Sequence, residues 1–409
     1  MRLKGFQELT PVDKALDKFF NTLKPKRLDA QLIPVSEALG RTTAEDIVAK
    51  RNLPPFRRSA MDGYAVKAKD TSEATQSKPK TLSLVKKRSI KLGEANEVWT
   101  GSPMPNGADS VMMLEHTKKK SGRIEVFVPL APGINVSEKG EDVKEGEVVV
   151  ESGLKLTPYH LGLLTALGTD KVRVVRKPIV AILATGDELT QPGEGFKLHK
   201  IVEVNSIILS SMCLEAGAEA LSLGIAKDDE SEIEARIREG MAKADIVITT
   251  GGTSVGIHDL VPRAFEKIAH NGVVVHGVAM RPGMPTALAV VHGEPGIILS
   301  GNPVAAVVGF EVFARPLIQR LLGTRGALRA RLKAKLTRRV VGVLGRRVFL
   351  RVRVAEQRGE FYAEPVGVKG SGIITTLTNA NGYVVIPEDR EGLRENELVT
   401  VYLLDSMGM

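Results

Sequence analysis

The 409-residue chain has one cysteine, Cys213, so no disulfide can form within it. Inside an apolar helical run that residue reads as a small core hydrophobe. Aromatics are 4% of the chain, with a single tryptophan, too few for the base-stacking platform of a single-strand nucleic-acid binder. No zinc-finger, RRM or basic-zipper pattern is present. No apolar run approaches the ~18 residues that span a bilayer. The opening MRLKGFQELTPVDKAL lacks the apolar core and cleavage site of a secretory signal. The seven histidines form no i, i+3 or i+4 pair for zinc, and no GxSxG elbow occurs. These absences give the expectations of a cytoplasmic protein with no membrane span and no nucleic-acid partner.

What is present is size, core and positive charge. The hydrophobic fraction is 43%, enough for real cores, and the length implies two to four domains. The net charge of +9 points to an anionic partner, and a small polyanionic substrate fits it as well as nucleic acid does. The basic runs Lys118–Lys120, Arg338–Arg339 and Arg346–Arg347 are dispersed and read as solvated faces.

Residues 1–48, with 145–176, read as a helical and extended domain. TPVDKALDKFFNTL has helical spacing, with Thr10 as cap and Pro11 in the first helical position. SEALG is a second helical piece ended by Gly40, and TPYHLGLLTALG a third. Residues 49–144 are β-rich, with short runs such as TLSLV and IEVFVPL between turns. From 177 to 323 strands alternate with helices, the pattern of a mostly parallel sheet covered on both faces. Here NSIILSSMCLEAGAE is capped by Asn205 or Ser206, and Ser231 with Glu234 has the spacing of a capping box. Residues 324–409 return to short strands, RVVGV, RRVFLRVRV, FYAEPVGV, GYVVIP and ELVTVYLL, as in a small β-barrel. The fold class is therefore multidomain α/β plus β, with a central α/β domain.

Ligands of open parallel sheets bind beyond the C-terminal strand ends. ATGDEL, AKDD, TTGGTSVGIHD and LSGNPV all fall there. Gly251, Gly252 and Gly256 let successive N–H groups form an anion nest, although the spacing matches neither dinucleotide nor P-loop fingerprints. A plain strand-to-helix turn is the simpler alternative for the loop alone. Asp187, Glu188, Asp228 and Asp259 each follow a strand. Such carboxylates repel unless a hard cation such as Mg²⁺ joins them, though Asp228 and Asp259 also have the placement of helix caps. PPFRRSAMDGYAV and RPGMPT pack prolines and arginines into loops, where an Arg fork suits oxyanions.

These residues resemble the MoeA-type molybdopterin molybdenumtransferases, the family that includes the E domain of gephyrin. The matching stretches are GRTTAEDI, PPFRRSAMDGYAV, TGSPMPNGADSVMMLE, GEDVKEG, ATGDEL, the VNS helix start, TTGGTSVGIHD, RPGMP, LSGNPVAA and GSGIITTLTNANGY. The resemblance implies four domains. One is an α/β domain like the molybdopterin adenylyltransferase, and another is a C-terminal barrel. It also implies a homodimer whose active site lies in a cleft between subunits. It implies Mg-dependent insertion of molybdenum into adenylylated molybdopterin, with molybdate as co-substrate and AMP released. Tungstate has nearly the same size and shape.

Catalytic roles are implied for Asp62, Thr100, Asp142, Glu188, Asp259 and Arg281. Asp62, Thr100 and Asp142 would come from the partner subunit. Asp228, Asp259 and Glu188 would hold the metal. The implied contacts to the pterin, nucleotide or oxyanion are Thr185, Gly186, Asp187, Asn205, Gly251, Gly252, Ser254, Val255, Gly256, Pro282, Gly283, Ser300, Gly301, Asn302, Pro303 and Ser371. The expected protein partners are the adenylyltransferase and molybdoenzymes or tungstoenzymes. The chain departs from the family's usual KxxxKPGKP loop, because GVAMRPGMP has Gly277 and Met284 in place of two lysines. A carrier or scaffold of the same fold is the alternative, against which the intact acids at 188, 228 and 259 argue. The adenylyltransferase activity itself is disfavoured by the flanking domains.

Overall fold

The computed structural model describes residues 8–194, 198–253, 259–325, 329–367 and 370–404. The chain divides into two compact units, residues 32–174 and residues 1–31 with 175–409. Among the described residues no helix is long and apolar enough to cross a membrane.

The unit of residues 32–174 is built on a six-stranded sheet. Gly63–Val66 lies between Ser110–Met113 and Glu94–Val98, and Lys80–Val85, Arg123–Val126 and Thr117–Lys120 follow. Alternate residues Tyr64, Val66, Leu82, Met112, Ile124 and Val126 form its core. A second core gathers Val35, Ala38, Leu156, Leu164 and Val172 around the helix Pro158–Ala166. That helix starts as expected. Thr157 Oγ1 accepts from His160 N, the His160 ring nitrogen accepts from Thr157 N, and Pro158 fills the first turn. SEALG, in contrast, is no α-helix. Only the single 3₁₀ turn Val35–Glu37 forms, because five residues cannot offset helix nucleation.

In the other unit the helix Val12–Leu23 begins after Pro11, which is itself the N-cap residue and offers no side-chain oxygen. Thr10, the expected cap, instead bridges to Val278. The α/β layer follows. Its elements are β1 (Ile179–Thr185), α1 (Asn205–Ala216), β2 (Glu219–Ala226), α2 (Glu230–Lys243), β3 (Ile246–Thr250), α3 (Leu260–Ile268), β4 (Val273–His276), β5 (Ala287–Val291), β6 (Glu294–Leu299) and α4 (Pro303–Gly309). The sheet order is β2-β1-β3-β6-β5-β4. The first four strands are parallel, and β5 and β4 add an antiparallel edge. β1 and β3 are apolar runs buried on both faces, as central parallel strands must be. Ala181 and Leu183 pack with Ile233 and Ile237 of α2 and with Val261 and Phe265 of α3. The alternate residues Val180, Ile182 and Ala184 turn to the other face. Each fully buried Ile or Phe contributes about 1.5–3 kcal/mol.

Two helix starts differ from expectation. α2 is capped by Asp229, whose carboxylate accepts from Glu232 N at 2.8 Å, two residues before the expected Ser231 box. α1 begins at Asn205 with Val204 as N-cap. Its first-turn donor is met from outside by Glu203, whose Oε1 accepts from Ser206 N at 2.9 Å. The closing helical run, residues 303–322, is unbroken but not α throughout. After α4 comes a π turn, Phe310–Ala314, then α5 (Arg315–Leu322). Pro316 has no N–H to give the residue four earlier, and the wider turn absorbs the lost bond.

The C-terminal region is a closed five-stranded barrel. Its strands are β7 (Arg331–Leu336), β8 (Arg347–Gln357), β9 (Glu360–Pro365), β10 (Gly382–Ile386) and β11 (Leu398–Leu403). The ring runs β8-β9-β7-β11-β10 and returns to β8. The expected RVVGV strand shrinks to Val340–Val341, while RLKAKL, half charged, supplies the first barrel strand.

Candidate functional site

Parallel register brings the C-terminal ends of β2, β1, β3 and β6 side by side. Thr185 stands opposite Ala226, Ala184 opposite Thr250, and Thr250 opposite Leu299. The loops after these four strands therefore meet. Gly251 N donates to Leu299 O at 3.2 Å, and Gly186 N to Ala226 O at 3.2 Å. Gly251 has φ +89°, and a Cβ there would stand 2.3 Å from the Thr185 carbonyl oxygen. Only glycine fits so close a crossing.

The result is a cavity of about 760 Å³, large enough for a nucleotide-sized ligand. Thr185, Gly186, Glu188, Asn205, Asp228, Gly251, Gly252, Ser300, Gly301, Asn302 and Pro303 all line it. Eleven expected residues thus fall in one wall. Asn205 is anchored by Nδ2 donating to Gly301 O at 2.8 Å, while its Oδ1 is buried with no hydrogen-bond partner among the described residues. A buried orphan acceptor costs about 1–3 kcal/mol, which a ligand N–H or O–H would offset. Asp187 and Asp228 face each other across the β1 and β2 loops. Each backbone N–H donates to the other's carboxylate at 3.3 Å.

Asp259 stands at the start of α3, buried, and makes no capping bond to its own helix. Its Oδ2 lies 3.1 Å from His276 Nε2. His276 was not singled out from the sequence. Among the described residues no three His, Cys, Asp or Glu side chains converge to hold a metal. The expected trio of Asp228, Asp259 and Glu188 is therefore not a ready-made cage. Ser254, Val255 and Gly256 lie outside the described residues.

A second cavity, of about 390 Å³, opens between the 280–285 loop and β8. Arg281, Pro282, Gly283 and Ser371 line it, and so do Ser300 and Asn302, which it shares with the first cavity. Met280 pairs with Arg347 and Arg281 with Val348, so the loop is stitched to the barrel strand. Two further arginines, Arg346 and Arg351, enter the wall, and no described carboxylate does. Arg351 is 8% exposed. It spends one N–H on Gly367 O at 3.3 Å, and its Nε has no partner among the described residues. Burial lowers its pKa from the usual guanidinium value. The expectation that Arg346–Arg347 is a solvated face does not hold. Arg346 lines the cavity, and Arg347 is clamped by Asp13 at 2.7 Å and Glu388 at 3.1 Å. A signal for Arg351 existed, since it interrupts the apolar run of RRVFLRVRV.

Asp62 and Thr100 lie together in the unit of residues 32–174, both exposed. Thr100 N and Oγ1 donate to Asp62 Oδ1 at 2.7 and 2.8 Å. Those bonds, the backbone one first, hold the Asp62 carboxyl below its ordinary range. Asp142 is exposed on a turn pinned by its N–H to Leu53 O at 3.0 Å.

Residues 10–168 match the family described as "MoeA N-terminal region (domain I and II)". Residues 181–320 match "Probable molybdopterin binding domain", and 333–404 match "MoeA C-terminal region (domain IV)". A molybdopterin molybdenumtransferase of Bacillus subtilis is 35% identical, covering 96% of this chain and 94% of the relative. Molybdopterin molybdenumtransferase 2 of Mycobacterium tuberculosis is 35% identical, over 87% and 91% respectively. The crystal structure of the molybdopterin biosynthesis moeA protein from Pyrococcus horikoshii superposes with a TM-score of 0.83 at 35% identity. That comparison covers 97% of this chain and 100% of the Pyrococcus chain.

Proposed function

The chain belongs to the MoeA family of molybdopterin molybdenumtransferases, and from that premise we propose that its joined cavities insert an oxyanion's metal into adenylylated molybdopterin. The observation that carries this is the shared wall of Ser300 and Asn302. On one side lies a glycine-lined, carboxylate-edged cavity suited to a nucleotide-bearing ligand. On the other lies an arginine pocket suited to molybdate.

Each side has a task. Two like unit charges about 4 Å apart repel by about 4 kcal/mol at an effective dielectric of 20. Arg281 and Arg351 offset that repulsion, so that a tetrahedral oxyanion can approach an anionic ligand. Ser300 and Asn302 orient the two ligands where the cavities meet. The orphan Asn205 Oδ1 accepts a hydrogen bond from the ligand. The crossing at Gly251 leaves backbone, not side chain, against the phosphates.

The donor set at the strand ends is all oxygen, which suits Mg²⁺, and Mg²⁺ takes only one or two carboxylates when substrate phosphates complete its shell. Asp228 and Glu188 would hold it, with Asp187 and Asp259 close to the same strand ends. When bound it polarises phosphoryl oxygens and favours loss of AMP. The family premise and the exposure of Asp62 and Thr100 support a homodimer in which these residues, with Asp142, close the cleft of the partner subunit. The ligand would be supplied by a molybdopterin adenylyltransferase and the product passed to molybdoenzymes. A tungstate substrate, and tungstoenzyme clients, follow from the same pocket chemistry.

Asp259→Ala is expected to lower AMP release from adenylylated molybdopterin by on the order of a hundredfold or more, while the protein stays folded by circular dichroism. Full release by that variant would remove the acid cluster from the chemistry.

A further inference from the structure

The loop that carries Arg281 has no other cation from Gly277 to Thr286, and Arg351 is buried at the wall. A dianion in a cavity of about 390 Å³ would meet one exposed and one buried positive charge from these two. The barrel adds a third. Arg346 is half-buried and lines the cavity, and neither it nor Arg281 donates a side-chain hydrogen bond among the described residues.

Its backbone is held from three sides. Gly342 N donates to Glu391 O at 2.6 Å, Gly345 N to Glu388 O at 2.8 Å, and Arg346 N to Val343 O at 3.0 Å. Gly345 has φ +75°, which lets the turn close. The neighbouring Arg347 is consumed by Asp13 and Glu388, so those carboxylates are already engaged rather than available to Arg346. A pinned turn that presents an uncommitted guanidinium to an acid-free cavity is a preorganised anion receptor.

We propose that Arg346 is a specificity-determining residue of the oxyanion pocket, supplying from the barrel the second uncommitted cation that the Arg281 loop lacks. This rests on the assignment of that pocket to the oxyanion. Arg346 then sets affinity for doubly charged tetrahedral anions and leaves the nucleotide-bearing ligand untouched. Its guanidinium, and not merely its charge, gives the full effect, because a fork can grip two oxygens at once.

The test is isothermal titration of molybdate, tungstate and chloride into the full-length wild type, Arg281→Ala, Arg346→Ala and Arg346→Lys. Arg346→Ala is expected to weaken molybdate and tungstate binding about tenfold or more, and Arg346→Lys to recover part of that loss. In turnover, Arg346→Ala raises the KM for the oxyanion, with kcat and the affinity for adenylylated molybdopterin within about twofold of wild type. If Arg281→Ala loses oxyanion binding and Arg346→Ala keeps it, the proposal for Arg346 falls and the pocket assignment stands. If the wild type binds molybdate and tungstate no better than chloride, the pocket assignment falls and takes the proposal with it. Circular dichroism on both Arg346 variants separates lost binding from lost folding.

Discussion

Replacing Arg351 with methionine is expected to abolish oxyanion-dependent turnover while leaving thermal stability at or above that of the wild type. Both halves follow from the same geometry. Arg351 is 8% exposed, gives one N–H to Gly367 O, and has no described carboxylate paired with it and no described partner for Nε. A buried cation without a counter-ion costs stability, and an apolar side chain of similar length removes that cost. The Arg351 side chain also lines the cavity into which no described carboxylate enters, and an anion bound there would supply the charge partner it lacks. Removing one such preorganised donor typically costs on the order of a hundred- to a thousandfold in rate. The check is a thermal melt of Arg351→Met beside its AMP-release kinetics. A variant that loses stability and keeps turnover would make Arg351 a structural residue.

Glu311→Leu is expected to have the largest effect on stability. Glu311 sits in the π turn, its side chain 6% exposed. It accepts from Arg315 at 2.9 Å and from Arg329 at 2.7 Å. Burial raises its pKa, but the hydrogen bonds and charges of Arg329 and Arg315 outweigh burial and hold the carboxyl below the ordinary glutamate value. Arg329 also donates to the carbonyl of Leu404 at 2.7 Å, so the network ties the helical segment to the barrel. Deleting the acid leaves two arginines, 10% and 14% exposed, with the half-exposed Glu215 as their one remaining charge partner among the described residues. The expected loss is about 3–5 kcal/mol, a fall in the melting midpoint on the order of 10 °C. Changing Arg315 and Arg329 to methionine in the same protein should recover much of it. The pH dependence has a definite sign. A depressed folded pKa means the unfolded chain binds more protons in the window between the two values, so this stability rises with pH. It is complete above the ordinary glutamate range of about 4.3 and is lost as pH falls through the lower folded value. Glu311→Gln should therefore differ from wild type at pH 7 and converge on it in acid.

Much of the architecture was legible in the chain because local periodicity carries it. The strand–helix alternation from 177 to 323 fixes a parallel sheet, and a parallel sheet fixes which ends its loops share. The sequence alone therefore groups Gly251, Glu188, Asp228 and Ser300, which line one cavity. The arginine pocket was legible only in part. Arg281 stood out in a proline loop, but Arg346 and Arg351 join it through a pairing between Met280–Arg281 and Arg347–Val348, far away in the chain. No local pattern reports such a register. RLKAKL hid a barrel strand for a related reason. Its lysines face outward, and only the closed ring reveals that Ala334 and Leu336 point in. Helix starts failed by one or two residues where a neighbouring carboxylate competed for the cap, Asp229 over Ser231 and Glu203 over Asn205. Pro316 was visible, but its consequence, a π turn that positions Glu311 between two arginines, depends on packing against the barrel.

The most direct test of the central claim is AMP release by the full-length wild type from adenylylated molybdopterin with Mg²⁺, run with molybdate, with tungstate and with neither. The two joined cavities predict release that requires an oxyanion and saturates with it. Tight binding of the nucleotide-bearing ligand with no release under any of the three conditions would contradict that claim and mark the chain as a carrier.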